Sequence, residues 1–328
     1  MSGARELLTH TRTRIDPAYR HSLDQMPQGV RHLLGYHAGW WNEDGTPREP
    51  AGKAFAAALA MAAARAAGAQ DDQEALPAAV AVEMIHDASL LHDDIIDGDR
   101  TRRGRPAAWT VFGTGATLCA GVALLHTAPQ LLPPHQAADL AAVTCRIYEG
   151  QIDDLAFETR LETSWDQYLV MAEKKTAVLL AAACALGAAA GGAPPEAAAH
   201  YREFGRALGI AYQISDDILG IWGKPEVTGK PVHSDLTSGK KSAPVIAALT
   251  SDTGPGRALH LLYSEHPTLT GTQADQAAAL IEQTGARAHS ETAADQWAQQ
   301  ARTALNRAAP AYRTDLETLA NAAIRRGR

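Results

Sequence analysis

Leu90–Pro106 reads LLHDDIIDGDRTRRGRP. An apolar run ends in Asp93, Asp94, Asp97 and Asp99, and Arg100, Arg102, Arg103 and Arg105 follow at once. If the run is helical, Asp93 and Asp97 stand at i and i+4, about 40° apart around the axis, and project from one face. Asp94 flanks the same edge at i+3 from Asp97. Three carboxylates packed this closely repel one another unless a cation lies among them. A plainer reading is a solvated acidic helix end paired with the arginines behind it. Against that stands the upstream segment VAVEMIHDASLL, which is largely apolar and reads as buried, so acids at its inner end need a reason. A hard divalent ion with oxygen ligands supplies one, and magnesium in particular bridges carboxylates to phosphates.

The pattern recurs further along the chain. GIAYQISDDILGIWG ends another apolar helix in Asp216 and Asp217, with Lys230, Lys240 and Lys241 downstream. MAEKKTAVLL places Lys174, Lys175 and Thr176 at the head of a third apolar helix. Two acidic helix ends, each followed by cations, predict a mirrored site for a highly charged anion, best a diphosphate. Once metal and Arg/Lys take up its developing charge, an allylic C–O bond can ionise, and oily helix walls keep water from the cation. Other phosphate devices are missing: GxxxxGK[ST] does not occur, and HExxH, GxSxG and EF-hand spacings are absent.

The rest of the 328 residues fits an all-α architecture. Alanine-rich segments such as AFAAALAMAAARAAGA favour helix, and alternating β-type patterns are nearly absent. Gly/Pro clusters (WNEDGTPREPAGK, GTGA, GGAPPE, WGKPEVTGKPVHSD, TSDTGPG) read as loops between roughly ten or more helices of one domain, 1–328. The net charge of −7 and the 5% aromatic content argue against nucleic acid. Cys119, Cys145 and Cys184, widely spaced and odd in number, fit buried thiols in a reducing cytoplasm. VFGTGATLCAGVALL is shorter than the roughly 20 residues a bilayer crossing needs and reads as a buried core helix, so no integral membrane segment is expected.

These blocks resemble the trans-isoprenyl (polyprenyl) diphosphate synthases. HDDIIDGDRTRRGRP is similar to that family's first aspartate-rich motif and YQISDDILG to its second. EGQIDDLAFE, EKKTA and GKPVHSDLTSGKKS match further blocks in order, so the resemblance spans about residues 30–250. It implies an all-α isoprenoid synthase fold around a deep central cavity, a homodimer, and about three magnesium ions per site, with manganese as a substitute. Carried over by position, Asp93, Asp94, Asp97, Asp216 and Asp217 would ligate metal. Arg102, Lys175, Lys230 and Lys240 would hold the allylic diphosphate, and Thr176 and Gln213 would face the reacting carbons. Lys53, His86 and Arg103 match positions that hold isopentenyl diphosphate (IPP), and Gln151 and Asp154 match a block lining the cavity. Lys174 reads as a solvated neighbour, His92 as structural, Lys241 as balancing charge, and Asp99, Arg100 and Arg105 as loop residues. Trp40–Trp41 reads as a hydrophobic anchor at a helix end.

Two departures bear on function. Where the family carries GGKxxRP, this chain has AGKAFAA, with Ala56 and Ala57 in place of Arg and Pro. Losing a bidentate phosphate contact weakens binding roughly tenfold to a hundredfold. The second motif ends in Gly220 instead of a third carboxylate. The resemblance therefore supports an IPP-condensing, chain-elongating synthase. It leaves open the same ionisation with an aromatic or indole acceptor or with intramolecular cyclisation, and a non-catalytic partner subunit. Ala88 and Ser89, one turn before Asp93, are small and leave a channel open for a geranylgeranyl-class chain, with Ile85 and Val82 as a floor.

Overall fold

Close helix packing explains the alanine content. In the computed structural model, which describes residues 2–48, 52–225, 231–266 and 268–324, nearly all regular structure is helical. In chain order the first α-helices are α1 (Ser2–Ser22), α2 (Gln28–Ala38), α3 (Phe55–Ala67), α4 (Leu76–Ile96), α5 (Ala108–Phe112), α6 (Thr114–Thr127), α7 (Pro134–Glu158), α8 (Trp165–Ala172), α9 (Val178–Ala190) and α10 (Pro195–Trp222). Helices Ser234–Thr237, Ala243–Leu249, Gly254–Glu265, Gly271–Gln283, Ala286–Ala308 and Thr314–Ile324 follow. The all-α class read from the sequence is the class observed. Among the described residues no helix is long and apolar enough to cross a membrane.

The chain forms two compact units. The first comprises Met1–Thr144, Leu179–Arg202 and Leu305–Leu319; the second comprises Cys145–Val178, Glu203–Ala304 and Ala320–Arg328. In the first, α3 (FAAALAMAAARAA) is buried along almost its whole length. A Cβ built on Gly187 of α9 would lie 2.0 Å from the Ala60 carbonyl oxygen, and one on Gly191 would lie 2.3 Å from that of Ala64. Only glycine against alanine lets two backbones approach so closely.

Helix α4 is also deeply buried, from Ala78 to Asp94, and Asp97 closes it with its N–H on the Asp93 carbonyl at 2.8 Å. His92 packs against Gly121 of α6, where a Cβ would come within 2.2 Å of the ring Nε2. A small feature absent from the sequence reading follows. Thr101–Arg102 pairs antiparallel with Arg105–Pro106. Both turn residues between them, Arg103 (φ 54°) and Gly104 (φ 73°), adopt positive φ. A two-residue turn with that geometry matches the twist of the flanking strands.

In the second unit, Ser164 and Gln167 form a reciprocal cap on α8. The helix then widens into a π-turn, Glu173–Ala177, before α9 begins. Two apolar clusters support this unit, one around Tyr168, Met171, Ile210, Ile214 and Ile246, the other around Ile221, Leu236, Val245, Leu259 and Ile281.

Two expectations are corrected. Cys184 is buried, but Cys119 and Cys145 are exposed. Likewise α6 is not a fully buried core helix: Thr117, Ala120, Gly121 and Leu124 are buried, while Leu118 (41%) and Val122 (46%) remain exposed. An apolar composition all round the helix hides which face is covered.

Candidate active site

At the end of α4 the acidic motif is organised by Arg102. Its Nε donates to Asp94 Oδ1 at 2.7 Å, and an Nη2 hydrogen bond reinforces the pair. The same Nη2 lies 3.9 Å from Asp93 Oδ2 and 3.8 Å from Asp99 Oδ2, so one guanidinium serves three carboxylates. Burial raises the Asp94 pKa, with Arg102 opposing; burial also acts against the Arg102 charge, but the carboxylates outweigh it and its pKa is raised. Asp94 Oδ2 is buried without a hydrogen-bond partner among the described residues. Asp93 and Asp97 share one helix face beside it.

Such an all-oxygen donor set fits a hard divalent cation. Among the described residues no group of three His, Cys, Asp or Glu side chains is gathered so as to hold a metal ion, so a bound cation would need most of its shell from water and phosphate oxygens.

The hairpin turn presents Arg103 elsewhere in the same unit. Its guanidinium lies over Gly52, where an added Cβ would sit 2.8 Å from Cζ, and this brings it beside the residue preceding Lys53. Arg103 Nη1 donates to the His37 carbonyl at 3.4 Å, and Nη2 is 3.6 Å from Asp87 Oδ1. Asp87 also accepts from Tyr19 Oη at 3.1 Å and lies 3.4 Å from His37 Nε2. Burial penalises the Asp87 charge, yet His37 and Arg103 hold its carboxyl well below the usual range.

Burial pushes His86 down to about 4, with Arg103 and Arg102 adding to the effect, so the ring is neutral at neutral pH. Glu83, one turn before Asp87, is pushed up to about 7 by burial and by Asp87, and accepts from the Ala57 N–H at 3.4 Å. Ala56 and Ala57 are buried at the start of α3. Ala88, Ile85 and Val82 are buried, and Ser89 Oγ donates to the His86 carbonyl at 2.7 Å.

In the second unit the π-turn aligns three predicted residues. Gly150 of α7 permits it, since a Cβ there would lie 2.3 Å from the Lys175 backbone nitrogen. Lys175 Nζ pairs with Asp154 Oδ2 at 2.6 Å. Thr176 Oγ1 donates to Gln213 Oε1 at 2.5 Å, and Gln213 Nε2 donates to Asp217 Oδ1 at 2.7 Å. Asp217 Oδ2 accepts from Tyr168 Oη and from the Ala243 N–H, each at 2.8 Å. Burial, then Asp235, raises Asp217 to about 7, against those three donors.

Asp217 is thus buried and heavily engaged within the protein, whereas Asp216 beside it is exposed. Gln151 is buried on α7. Lys240 is half-buried, its N–H bonded to the Asp235 carbonyl at 3.0 Å. Lys230 lies outside the described residues.

Several neighbours differ from their sequence reading. Lys174 is not merely solvated: its Nζ meets Glu149 at 2.5 Å and Asp153 at 3.0 Å. Lys241 is buried and donates to the Glu158 and Gly239 carbonyls over the Tyr263 ring, so it ties loops together and does not simply balance charge. Arg105 stacks on Tyr36, 3.6 Å from the ring centroid, and bonds the Trp41 carbonyl, which makes it structural. Trp40 is buried and Trp41 packs under Gly35, consistent with an anchoring pair.

Sequence reasoning missed Glu83, Asp87, Tyr168 and Asp235. Asp235 had a local signal in Gly220, because the Asp235 carboxylate occupies the space a residue-220 side chain would need.

Motif order, helical architecture and these two residue sets together define a prenyl-transferring enzyme. The polyprenyl synthetase family matches residues 47–281, and the chain belongs to that family. It is 38% identical over 308 residues to a geranylgeranyl diphosphate synthase of Mycobacterium tuberculosis, covering 91% of this chain and 88% of that one. It is 39% identical over 276 residues to a (2E,6E)-farnesyl diphosphate synthase of Mycobacterium bovis, covering 82% and 77%. The crystal structure of a polyprenyl synthetase from Streptomyces coelicolor A3(2) superposes with a TM-score of 0.87 at 34% identity, covering 97% of this chain and 99% of that one. A polyprenyl synthase from Caulobacter crescentus CB15, crystallised with calcium and isoprenyl diphosphate, gives 0.87 at 28% identity over 100% and 98%.

Proposed function

We propose that this chain is a magnesium-dependent trans-prenyltransferase that condenses an allylic diphosphate with IPP into a geranylgeranyl-class prenyl diphosphate. The observation that carries the choice of IPP is the Arg103 guanidinium packed over Gly52, next in sequence to Lys53. By the family resemblance, Arg103 and Lys53 are the cations of the IPP-binding kind that this chain keeps although Ala56 replaces the family's arginine. Relatives at 38–39% identity bearing geranylgeranyl and farnesyl diphosphate synthase names support the same reaction class.

In the reaction the allylic C–O bond breaks and its electron pair leaves with the diphosphate. Asp93, Asp94 and Asp97 of the first unit, and Asp216 and Asp217 of the second, are the residues that would hold divalent metal, which when bound would supply charge stabilisation to that leaving group. Arg102, Lys175, Lys240 and Lys230 balance the remaining charge. The IPP double bond attacks the allylic carbon, and a C–C bond forms. The proton then lost from the former IPP carbon passes to diphosphate. Thr176 and Gln213, already bonded to each other, direct oxygen dipoles at the developing cation. Lys53, Arg103 and neutral His86 grip the IPP diphosphate. Ala88 and Ser89, one turn before Asp93, carry small side chains, which supports a long product.

The same reading makes the enzyme a cytoplasmic homodimer acting as one catalytic domain. Exposed Leu118, Cys119 and Val122 of α6, with exposed Ala141 and Ala142 of α7, support a face covered by a second copy. Light scattering on the purified chain tests that.

The decisive experiment incubates protein and magnesium with dimethylallyl, geranyl, farnesyl and geranylgeranyl diphosphates, with and without IPP, and identifies products by mass spectrometry. Elongation only with IPP is expected. Hydrocarbons or alcohols formed without IPP would overturn the reading.

A further inference from the structure

We propose that Asp87 is a positioning residue that aims Arg103 at the IPP diphosphate, an inference that rests on the function proposed above. Arg103 sits in a strained left-handed turn, φ 54°, at the tip of a two-residue hairpin. Nothing in so short a hairpin fixes a long guanidinium. Among the described residues, the His37 carbonyl takes Nη1 and Asp87 faces Nη2. Asp87 is itself held, with Tyr19 from α1 on one oxygen and the His37 ring near the other. Both the Asp87 and His37 side chains are 2% exposed, so this clamp is rigid, while the Arg103 side chain is 20% exposed and can meet substrate.

A carboxylate beside an anion-binding arginine reduces its attraction for phosphate. Its presence is therefore explained by orientation, since planar guanidinium–phosphate recognition depends on geometry. With Ala56 in place of an arginine, the correct aim of Arg103 matters more in this chain.

The test compares the full-length wild type, Asp87→Asn and Tyr19→Phe. IPP is varied at saturating allylic diphosphate, then the reverse, and thermal melts are recorded alongside. Asp87→Asn should raise KM for IPP about tenfold while KM for the allylic substrate stays unchanged. Tyr19→Phe, which removes one hydrogen bond and keeps the charge, should move the same constant by a smaller factor. If Asp87→Asn fails to melt cooperatively, Tyr19→Phe decides. Equal rises in both KM values would mark a merely structural role, and a lower KM for IPP would mark Asp87 as a competitor for Arg103; either overturns the inference while the synthase reading stands. If the wild type itself fails to consume IPP with any allylic substrate, the synthase reading falls, and this inference with it.

Discussion

The Asp235 carboxylate stands where a side chain on Gly220 would have to go: a Cβ there would lie 2.0 Å from Asp235 Oδ2 and 2.7 Å from Oδ1. Position 220 is one helical turn beyond Asp216 and is where the second motif lacks its third acid. Asp235, fifteen residues later, delivers a carboxylate to that place, with Ser234 donating to Oδ1 at 3.4 Å.

Restoring an acid at 220 should therefore harm the enzyme. Gly220→Asp forces two carboxylates into one space, and kcat/KM should fall on the order of tenfold or more, with a lower melting temperature. Steady-state kinetics and a thermal melt check both. An increase in activity would show that Asp235 does not hold this position.

Glu83 gives a pH signature. Its folded pKa of about 7 lies above its ordinary value of 4.5, so the folded state holds the proton more tightly than the unfolded one. That contribution is fully present below pH 4.5 and lost as pH rises through about 7. His86, lowered to about 4, works in the opposite sense, losing stability as pH falls from 6.5 toward 4. Comparing Glu83→Gln with wild type isolates Glu83: the variant should melt higher at pH 8, with the difference shrinking as pH falls toward 4.5. Melting curves across that range measure it.

Ala56→Arg, with Ala57 retained so that its N–H still reaches Glu83, should lower KM for IPP about tenfold. The allylic KM should not change. Initial rates at varied IPP decide this, and an unaltered constant would mean the chain has no use for the family's arginine.

Ala88→Phe should shorten the product or exclude the longest allylic substrate, because a buried methyl becomes a ring on the helix that carries the first motif. Chromatography of dephosphorylated products reads the length. An unchanged spectrum would place the chain-length determinant elsewhere.

Gly187→Ala should destabilise the first unit by about 1–3 kcal/mol, since its methyl meets the Ala60 carbonyl with no room to relax. Chemical denaturation provides the measurement.

Much of this was legible in the chain. Helices follow from alanine and apolar spacing, and the pairing of Asp93 with Asp97 follows from helical geometry; both depend on residues within one or two turns. The lysine–threonine block was found for the same reason, but not the π-turn that Gly150 allows, because that turn depends on a helix some 25 residues away in the chain. The Arg103–Gly104 hairpin was overlooked in a stretch read only as loop after the first acidic helix end.

Local order was thus decided by the sequence alone: an all-α chain with two acidic helix ends and basic segments after each. Tertiary structure alone decided which acids are engaged internally and which are presented. Asp94 is taken by Arg102, Asp217 by Tyr168, Gln213 and the Ala243 N–H, and Asp87 by Tyr19 and His37, while Asp216 is left facing solvent. The physical reason is that a carboxylate's state depends on burial and on its donors, and many of those donors lie tens of residues away in sequence.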